Sequence, residues 1–317
     1  MSNNSPEWIN TDFPEYGRPT YKHTLDSLVS WRKDLISGPG TRELGDINSS
    51  EILKTTAYSP IEFQEPNKGE DRIFTGFIGD KYPVIVIADG VTFSTTSSGD
   101  VLSGVGGPAA EAATLNVVKR LADLKDGLSP VEVQYILKDA FLRAGEAIKH
   151  GGKNGAALPG ATTLLVGFPY IHRGHPGAME NLALWHYGYV GDGDIVLISK
   201  GRKVDGRAIP TYLLTPQKVS STAAISEEGP AVKPFIGMCE YTPGDGLLMT
   251  SDGFDGPNKE YVNKKQLSIP YVLGNDRRDP RLLLSDIAQT FRSLKFHDDG
   301  VLGFINTEVV KKVSLPR

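Results

Sequence analysis

The sequence predicts an α+β protein built in layers from antiparallel sheets. Short strand-like runs are separated by glycine, proline and polar turns of hairpin length, and helical stripes come in a consecutive pair. The strand–helix–strand alternation of a doubly wound fold is missing. Four apolar runs also end directly in an acidic residue beside glycine: VIVIADG at Asp89-Gly90, YGYVGDGD at Asp192 and Asp194, GLLMTSDG at Asp252-Gly253 and KFHDDG at Asp298 and Asp299.

Taken in order, residues 1–56 read as an N-terminal extension, polar and rich in Pro, Asn and Ser, ahead of a domain over 57–317. Within the extension TLDSLVSWRKDLI sets Leu25, Leu28, Val29, Leu35 and Ile36 on one stripe, which predicts a short helix. Strand character begins near FTGFIGDKYPVIVIADG, where Gly79-Asp80 joins Phe74–Ile78 to Val84–Ala88 as a hairpin. TFSTTSSG (92–99) reads as a Ser/Thr-rich loop.

Two helices follow. The first runs from about Pro108 to Leu124, apolar at Ala110, Ala113, Val117, Leu121 and Leu124. The second starts with Ser129 as N-cap, Pro130 as first helical residue and Glu132 closing a capping box. Its stripe is Val133, Ile136, Leu137, Ala140, Ala144 and Ile148, and His150-Gly151-Gly152 stops it. Strands then return as ATTLLVGFPYI, NLALWHYGYVG, DIVLISKGRKV, TYLLTPQ and GLLMTSDG. Trp185, Tyr187 and Tyr189 alternate and so share one sheet face. His172 and His175 fall in a Gly/Pro segment, HRGHPG, which reads as exposed, and His297 reads as a strand-end residue. A last helix from Asp279-Pro280 buries Leu284, Ile287, Ala288, Phe291 and Leu294, and GVLGFINTEVV closes the chain as a strand.

Composition narrows the classes of function. The 317 residues are 39% hydrophobic and 23% charged, the profile of a soluble globular protein with a real core. A net charge of −4 argues against non-specific nucleic-acid binding and against adhesion to anionic membrane. No apolar run approaches the ~20 residues of a bilayer span. The N-terminal residues lack the pattern of a secretory signal, and the one cysteine, Cys239, forms no internal disulfide. A cytoplasmic, monomeric protein is the expectation.

A single Asp-Gly after a strand is an ordinary turn. Four at comparable strand ends, with Glu70-Asp71 ahead of the first, make a pattern. Carboxylates converging at a sheet rim supply hard oxygen ligands for Mg²⁺ or Mn²⁺.

The order of these pieces resembles the metal-dependent protein phosphatases of the PP2C (PPM) family over roughly residues 58–306. The matching motifs are Glu70-Asp71, Asp89-Gly90, Gly106-Gly107-Pro108-Ala109-Ala110, Gly160-Ala161-Thr162-Thr163, Gly191-Asp192, Leu214-Thr215, Pro243-Gly244-Asp245, Ser251-Asp252-Gly253 and Asp298-Asp299. The resemblance implies a four-layer α/β/β/α sandwich, two antiparallel sheets flanked by helix pairs. It implies hydrolysis of phosphoserine and phosphothreonine in proteins at a binuclear Mn²⁺/Mg²⁺ centre. Asp89 would bridge two ions, the Gly90 carbonyl would bind the first, and Asp252 and Asp298 would hold the second. Asp192 would support a more weakly bound third ion, and Glu70 and Asp71 would act through metal-bound waters. Two such cations lower the pKa of a bridging water and clamp phosphoryl oxygens.

This chain departs from the family in three places. The family's phosphate-gripping arginine, four residues before the glutamate, is Pro66, which leaves Lys68 or Arg72 to take the phosphate. Val91 stands where many members have histidine, and a Ser/Thr-rich insertion separates Asp89-Gly90 from Gly106-Gly107. A non-catalytic, phosphatase-like binding domain is the main rival. Asp192-Gly193-Asp194 also fits the nucleophile motif of haloacid-dehalogenase-type phosphatases, but that fold is a parallel sheet with its motif near the chain start. No EF-hand loop occurs.

Overall fold

A computed structural model describes residues 47–50, 55–63, 70–78, 82–91, 93–95, 101–103, 106–158, 160–172, 182–204, 207–213, 224–242, 244–254, 268–276, 282–284, 286–287 and 300–307. All belong to one compact unit. In chain order the strands and helices are β1 (Ile47–Ser50), β2 (Thr55–Phe63), β3 (Arg72–Ile78), β4 (Tyr82–Ala88), β5 (Phe93–Thr95), β6 (Val101–Ser103), α1 (Gly106–Leu121) and α2 (Pro130–His150). They continue as β7 (Leu164–His172), β8 (Leu182–Val190), β9 (Asp194–Val204), β10 (Arg207–Tyr212), β11 (Ile225–Ser226), β12 (Gly229–Pro230) and β13 (Phe235–Glu240). The last are β14 (Gly246–Thr250), α3 (Ile269–Asn275) and β15 (Gly300–Thr307).

Two antiparallel sheets form the centre. One has the order β13-β8-β7-β4-β3 and the other β1-β2-β15-β14-β9-β10. The expected hairpin is present, with Phe74 opposite Val86 and Ile78 opposite Tyr82. Between the sheets lie Ile73, Ile85, Ile87, Leu165, Ile195, Leu247, Met249, Val301 and Ile305, all buried. Glycines let the layers interlock. A Cβ at Gly167 would come within 2.5 Å of Leu247, and one at Gly303 within 2.8 Å of Ile85.

α1 and α2 pack on the outer face of the first sheet, burying Ala113, Val117, Val133, Leu137 and Phe141. The capping box at Ser129 forms as the sequence predicts: the Glu132 amide donates to Ser129 Oγ, and Glu132 Oε2 accepts from the Ser129 amide at 2.7 Å. On the outer face of the second sheet Val196, Ile198, Leu248, Leu302 and Phe304 pack with Phe254, α3 and the helical residues 282–284 and 286–287. The architecture is thus the four-layer α/β/β/α sandwich. No helix among the described residues is long and apolar enough to cross a membrane.

Several elements differ from the sequence expectation. β1 and β2 precede the point where alternation became visible, because INSS and TTAYSPIEF are too polar to read as strands without their partners, β2 for β1 and β15 for β2. α1 begins at Gly106 and ends at Leu121, earlier at both ends than expected, and β10 begins at Arg207, ahead of the predicted TYLLTPQ, and shares with it Thr211 and Tyr212. Part of the Ser/Thr-rich loop pairs as a small hairpin, β5 with β6. α3 and β13 were not anticipated, and Leu284 and Ile287 of the predicted last helix are buried. The helix predicted within 24–36, the turn at Gly79-Asp80, and Ala288, Phe291 and Leu294 lie outside the described residues.

His172 is a correction. It was expected in an exposed loop, yet it is the last residue of β7 and is buried. β7 alternation puts it on the same face as Phe168 and Tyr170, beneath the turn between α1 and α2. Its Nδ1 lies 2.7 Å from the Leu128 carbonyl and its Nε2 lies 3.0 Å from Nε2 of His186. A carbonyl only accepts, so Nδ1 of His172 carries the proton and its Nε2 accepts from His186. His186 Nδ1 is then an acceptor with no hydrogen-bond partner among the described residues. Burial, with His172 adding a smaller effect, lowers the His186 pKa from 6.5 to about 3, so His186 is neutral near pH 7.

Candidate active site at one rim of the sandwich

Asp89 follows β4, and its backbone is clamped by β7's approach. Its carbonyl accepts from the Thr163 amide and from Thr162 Oγ1, both at 2.8 Å, and its amide donates to Thr163 Oγ1 at 3.2 Å. Thr162 also bridges to Gly90 and to Ile225. A strand end held by four such contacts has little freedom to move its side chain away from the rim.

Gly90 is buried where two backbones meet. A Cβ there would lie 2.6 Å from the Gly106 carbonyl carbon and 2.9 Å from Glu70 Cβ, and one on Gly106 would lie 2.5 Å from the Gly90 carbonyl carbon. Only glycine fits at either place. Glu70, itself buried, accepts the Gly106 amide on Oε1 at 3.0 Å. A carboxylate at the N-terminus of α1 satisfies an orphan donor and meets the positive end of the helix dipole.

Asp71 precedes β3 and is buried, with Ser251 Oγ donating to its Oδ2 at 2.7 Å. Asp252 opens a 3-10 turn, Asp252–Phe254, directly after β14. The side chains of Asp71 and Asp252 both reach the Asp89 carboxyl. Burial first, then these two neighbours, hold the Asp89 pKa well above the usual carboxylate range. Three carboxyl groups from both sheets thus meet at one rim.

The other predicted residues are distributed around this point. Asp192 is exposed in the β8–β9 turn. That turn is built onto the same frame, since a Cβ at Gly191 would lie 2.5 Å from Thr163 and one at Gly193 2.5 Å from the Thr250 carbonyl. Arg72 is buried and donates to the Asp71 carbonyl at 2.8 Å. By strand alternation its position in β3 shares the face of Phe74 and not that of Ile73. Lys68, Pro66, His297, Asp298 and Asp299 lie outside the described residues.

Sequence reasoning assigned no role to Ser251, Thr162 or Thr163. All three occur in motifs that were recognised as Ser-Asp-Gly and Gly-x-Thr, so the signal was present and only the partners were missing.

Among the described residues, no three His, Cys, Asp or Glu side chains are arranged as a metal cage on their own. The donor chemistry nevertheless suits a hard cation. Carboxylate oxygens crowd together at Asp89, and such anions repel unless a proton or a cation separates them.

No protein-family profile matches the sequence, and comparison with curated proteins finds no relative. Solved structures do match. A serine/threonine phosphatase of S. agalactiae superposes with a TM-score of 0.54 at 17% identity, covering 80% of this chain and 99% of that chain. The PPM Ser-Thr phosphatase of Mycobacterium smegmatis, solved with cacodylate, gives 0.52 at 15% identity over 82% and 100%. The serine/threonine phosphatase Stp1 of Staphylococcus aureus gives 0.54 at 13% identity over 84% and 99%. The fold of this chain is that of the PPM serine/threonine phosphatases.

Proposed function

We propose that the protein hydrolyses phosphoserine and phosphothreonine in protein substrates, using two Mn²⁺ or Mg²⁺ ions at the rim that carries Asp89. One observation carries this reading: Asp71, Asp89 and Asp252, far apart in sequence, meet at one end of a PPM-type sandwich. Asp89 and the Gly90 carbonyl would hold one ion and Asp89, Asp252 and Asp298 the other, with Asp192 near a third. Bound there, the ions would supply Lewis acidity at the phosphoryl oxygens and lower the pKa of the attacking water.

The chain's own residues do the rest by holding geometry. Thr162 and Thr163 fix the Asp89 main chain, Glu70 joins α1 to that turn, and Ser251 orients Asp71. Substrate phosphate would be met by Lys68, since Arg72 is already turned onto a backbone carbonyl. Pro66, at the position of the family's arginine, favours a second reading, a phosphatase-like domain that binds without hydrolysis. Hydrolysis of p-nitrophenyl phosphate and of a phosphothreonine peptide with Mn²⁺, abolished by EDTA, is expected. Metal-dependent binding of the peptide without turnover would decide for the second reading.

A further inference from the structure

We propose that Ser251 is a positioning residue that sets the Asp71 carboxylate against Asp89 and joins the two sheets at the rim. This rests on the metal-dependent reading above. Ser251 sits between the last residue of β14 and Asp252, and it is 1% exposed. Its backbone amide donates to the Val301 carbonyl at 3.0 Å, while the Val301 amide donates to Ser251 Oγ at 3.0 Å. The second of these bonds fixes the hydroxyl. An oxygen that accepts from Val301 has its own proton free to point elsewhere, and it points to Asp71 Oδ2 at 2.7 Å.

The hydroxyl is therefore held by β15 of one sheet and holds a carboxylate at the start of β3 in the other. Asp71 is equally buried, at 1% exposed. With one oxygen engaged by Ser251, its carboxyl plane has a fixed direction toward Asp89. Ser251 also adjoins Asp252, so a single residue sets the placement of two of the three carboxyl groups. Alanine would keep the β14–β15 amide contact and remove both bonds of the hydroxyl, leaving the Val301 amide and Asp71 Oδ2 without that partner.

The test is calorimetric titration of Mn²⁺ into the full chain after EDTA treatment and dialysis, with circular dichroism of the metal-free protein alongside. Ser251→Ala is expected to weaken Mn²⁺ binding about 10-fold, the low end of the range for groups behind the metal ligands, because Asp71 would reach the ions through bound water, while Ser251→Thr, which keeps the hydroxyl, stays within about threefold of wild type. A purely structural serine would lower the metal-free unfolding temperature and leave the Mn²⁺ affinity of the folded fraction unmoved. Ser251→Ala binding Mn²⁺ within about twofold of wild type overturns the proposal. Should the alanine variant not fold, Ser251→Cys, nearly isosteric but a weak donor, replaces it under the same criterion. Wild-type protein that binds no Mn²⁺ removes the metal-dependent reading and this role together. Wild-type binding with an unaffected alanine variant removes the role alone.

Discussion

Two sets of ionisable side chains are crowded together in this sandwich, and they respond to that in opposite ways. Asp71, Asp89 and Asp252 meet at one rim, and His172 and His186 face each other beneath the α1–α2 turn. The imidazoles discharge the problem locally: burial lowers the His186 pKa to about 3, and the two Nε2 atoms share one hydrogen bond. The carboxyl groups have no such route. Burial first, and then Asp71 and Asp252 beside it, make the Asp89 carboxyl hold its proton well above the usual carboxylate range. A buried titratable pair that satisfies itself is a packing element. A set whose carboxyl holds its proton through burial and crowding is one that a cation, once bound, would relieve.

The largest expected effect strikes the rim. Asp89→Asn should lower phosphatase activity at least about a hundredfold under saturating Mn²⁺, because one neutral oxygen cannot bridge two ions. The same variant should be as stable as wild type or more so without metal at pH 7, by on the order of 1 kcal/mol, since an amide does not have to take up a proton to fold beside Asp71 and Asp252. Activity above about a tenth of wild type would remove the contrast between the two regions.

Metal and pH give the next test. A carboxyl whose folded pKa is raised contributes stability that is fully present below its unfolded pKa, near 4, and is lost as pH rises through the folded pKa. Metal-free protein should therefore lose stability from that side as pH rises. Mn²⁺ at a hundred times its dissociation constant should restore about 2.7 kcal/mol, measured as a rise in unfolding temperature that EDTA reverses. No Mn²⁺-dependent shift at pH 7 would count against the cation.

The histidine pair should show the reverse sign. With the His186 pKa lowered to about 3, its contribution is fully present above about 6.5 and declines as pH falls through that window. His186→Leu should flatten that acid slope and cost about 1–3 kcal/mol at neutral pH, because Nε2 of His172 loses its donor. Equal acid slopes in wild type and variant would place the sensitivity elsewhere.

The smallest effect concerns whether the rim borrows positive charge from the chain as well as from ions. Lys68→Ala should raise KM several-fold with a lesser change in kcat. Arg72→Ala should act chiefly through stability, given its bond to the Asp71 carbonyl. A raised KM confined to Arg72→Ala would exchange their roles.

Much of this arrangement was legible in the chain. Strand ends at Asp89 and Asp252 could be read because each closes a run of buried aliphatic residues with a turn residue. The α2 start was legible because its capping box lies within four neighbouring residues. What stayed hidden depends on partners distant in sequence. Ser251 bonds to Asp71, 180 positions away, and nothing local to either reveals it. His172 looked exposed because its sequence neighbours are Gly and Pro, whereas its burial is decided by Leu128 and His186. β2 was missed for the same reason, its pairing with β15 being wholly non-local.

The contact of Gly90 with Gly106 has a consequence for how this chain can be altered. Gly90 and Gly106 meet at the rim, so the two ends of the intervening stretch of sequence, 91–105, are held close together there. The entropy of closing such an excursion grows only slowly with its length, about 0.6 kcal/mol per doubling. The segment is thus a natural splice point: sequence can be lengthened, shortened or grafted there while Asp89 keeps its place. The tolerance stops at the two glycines, where a single methyl group would pry the fastening open.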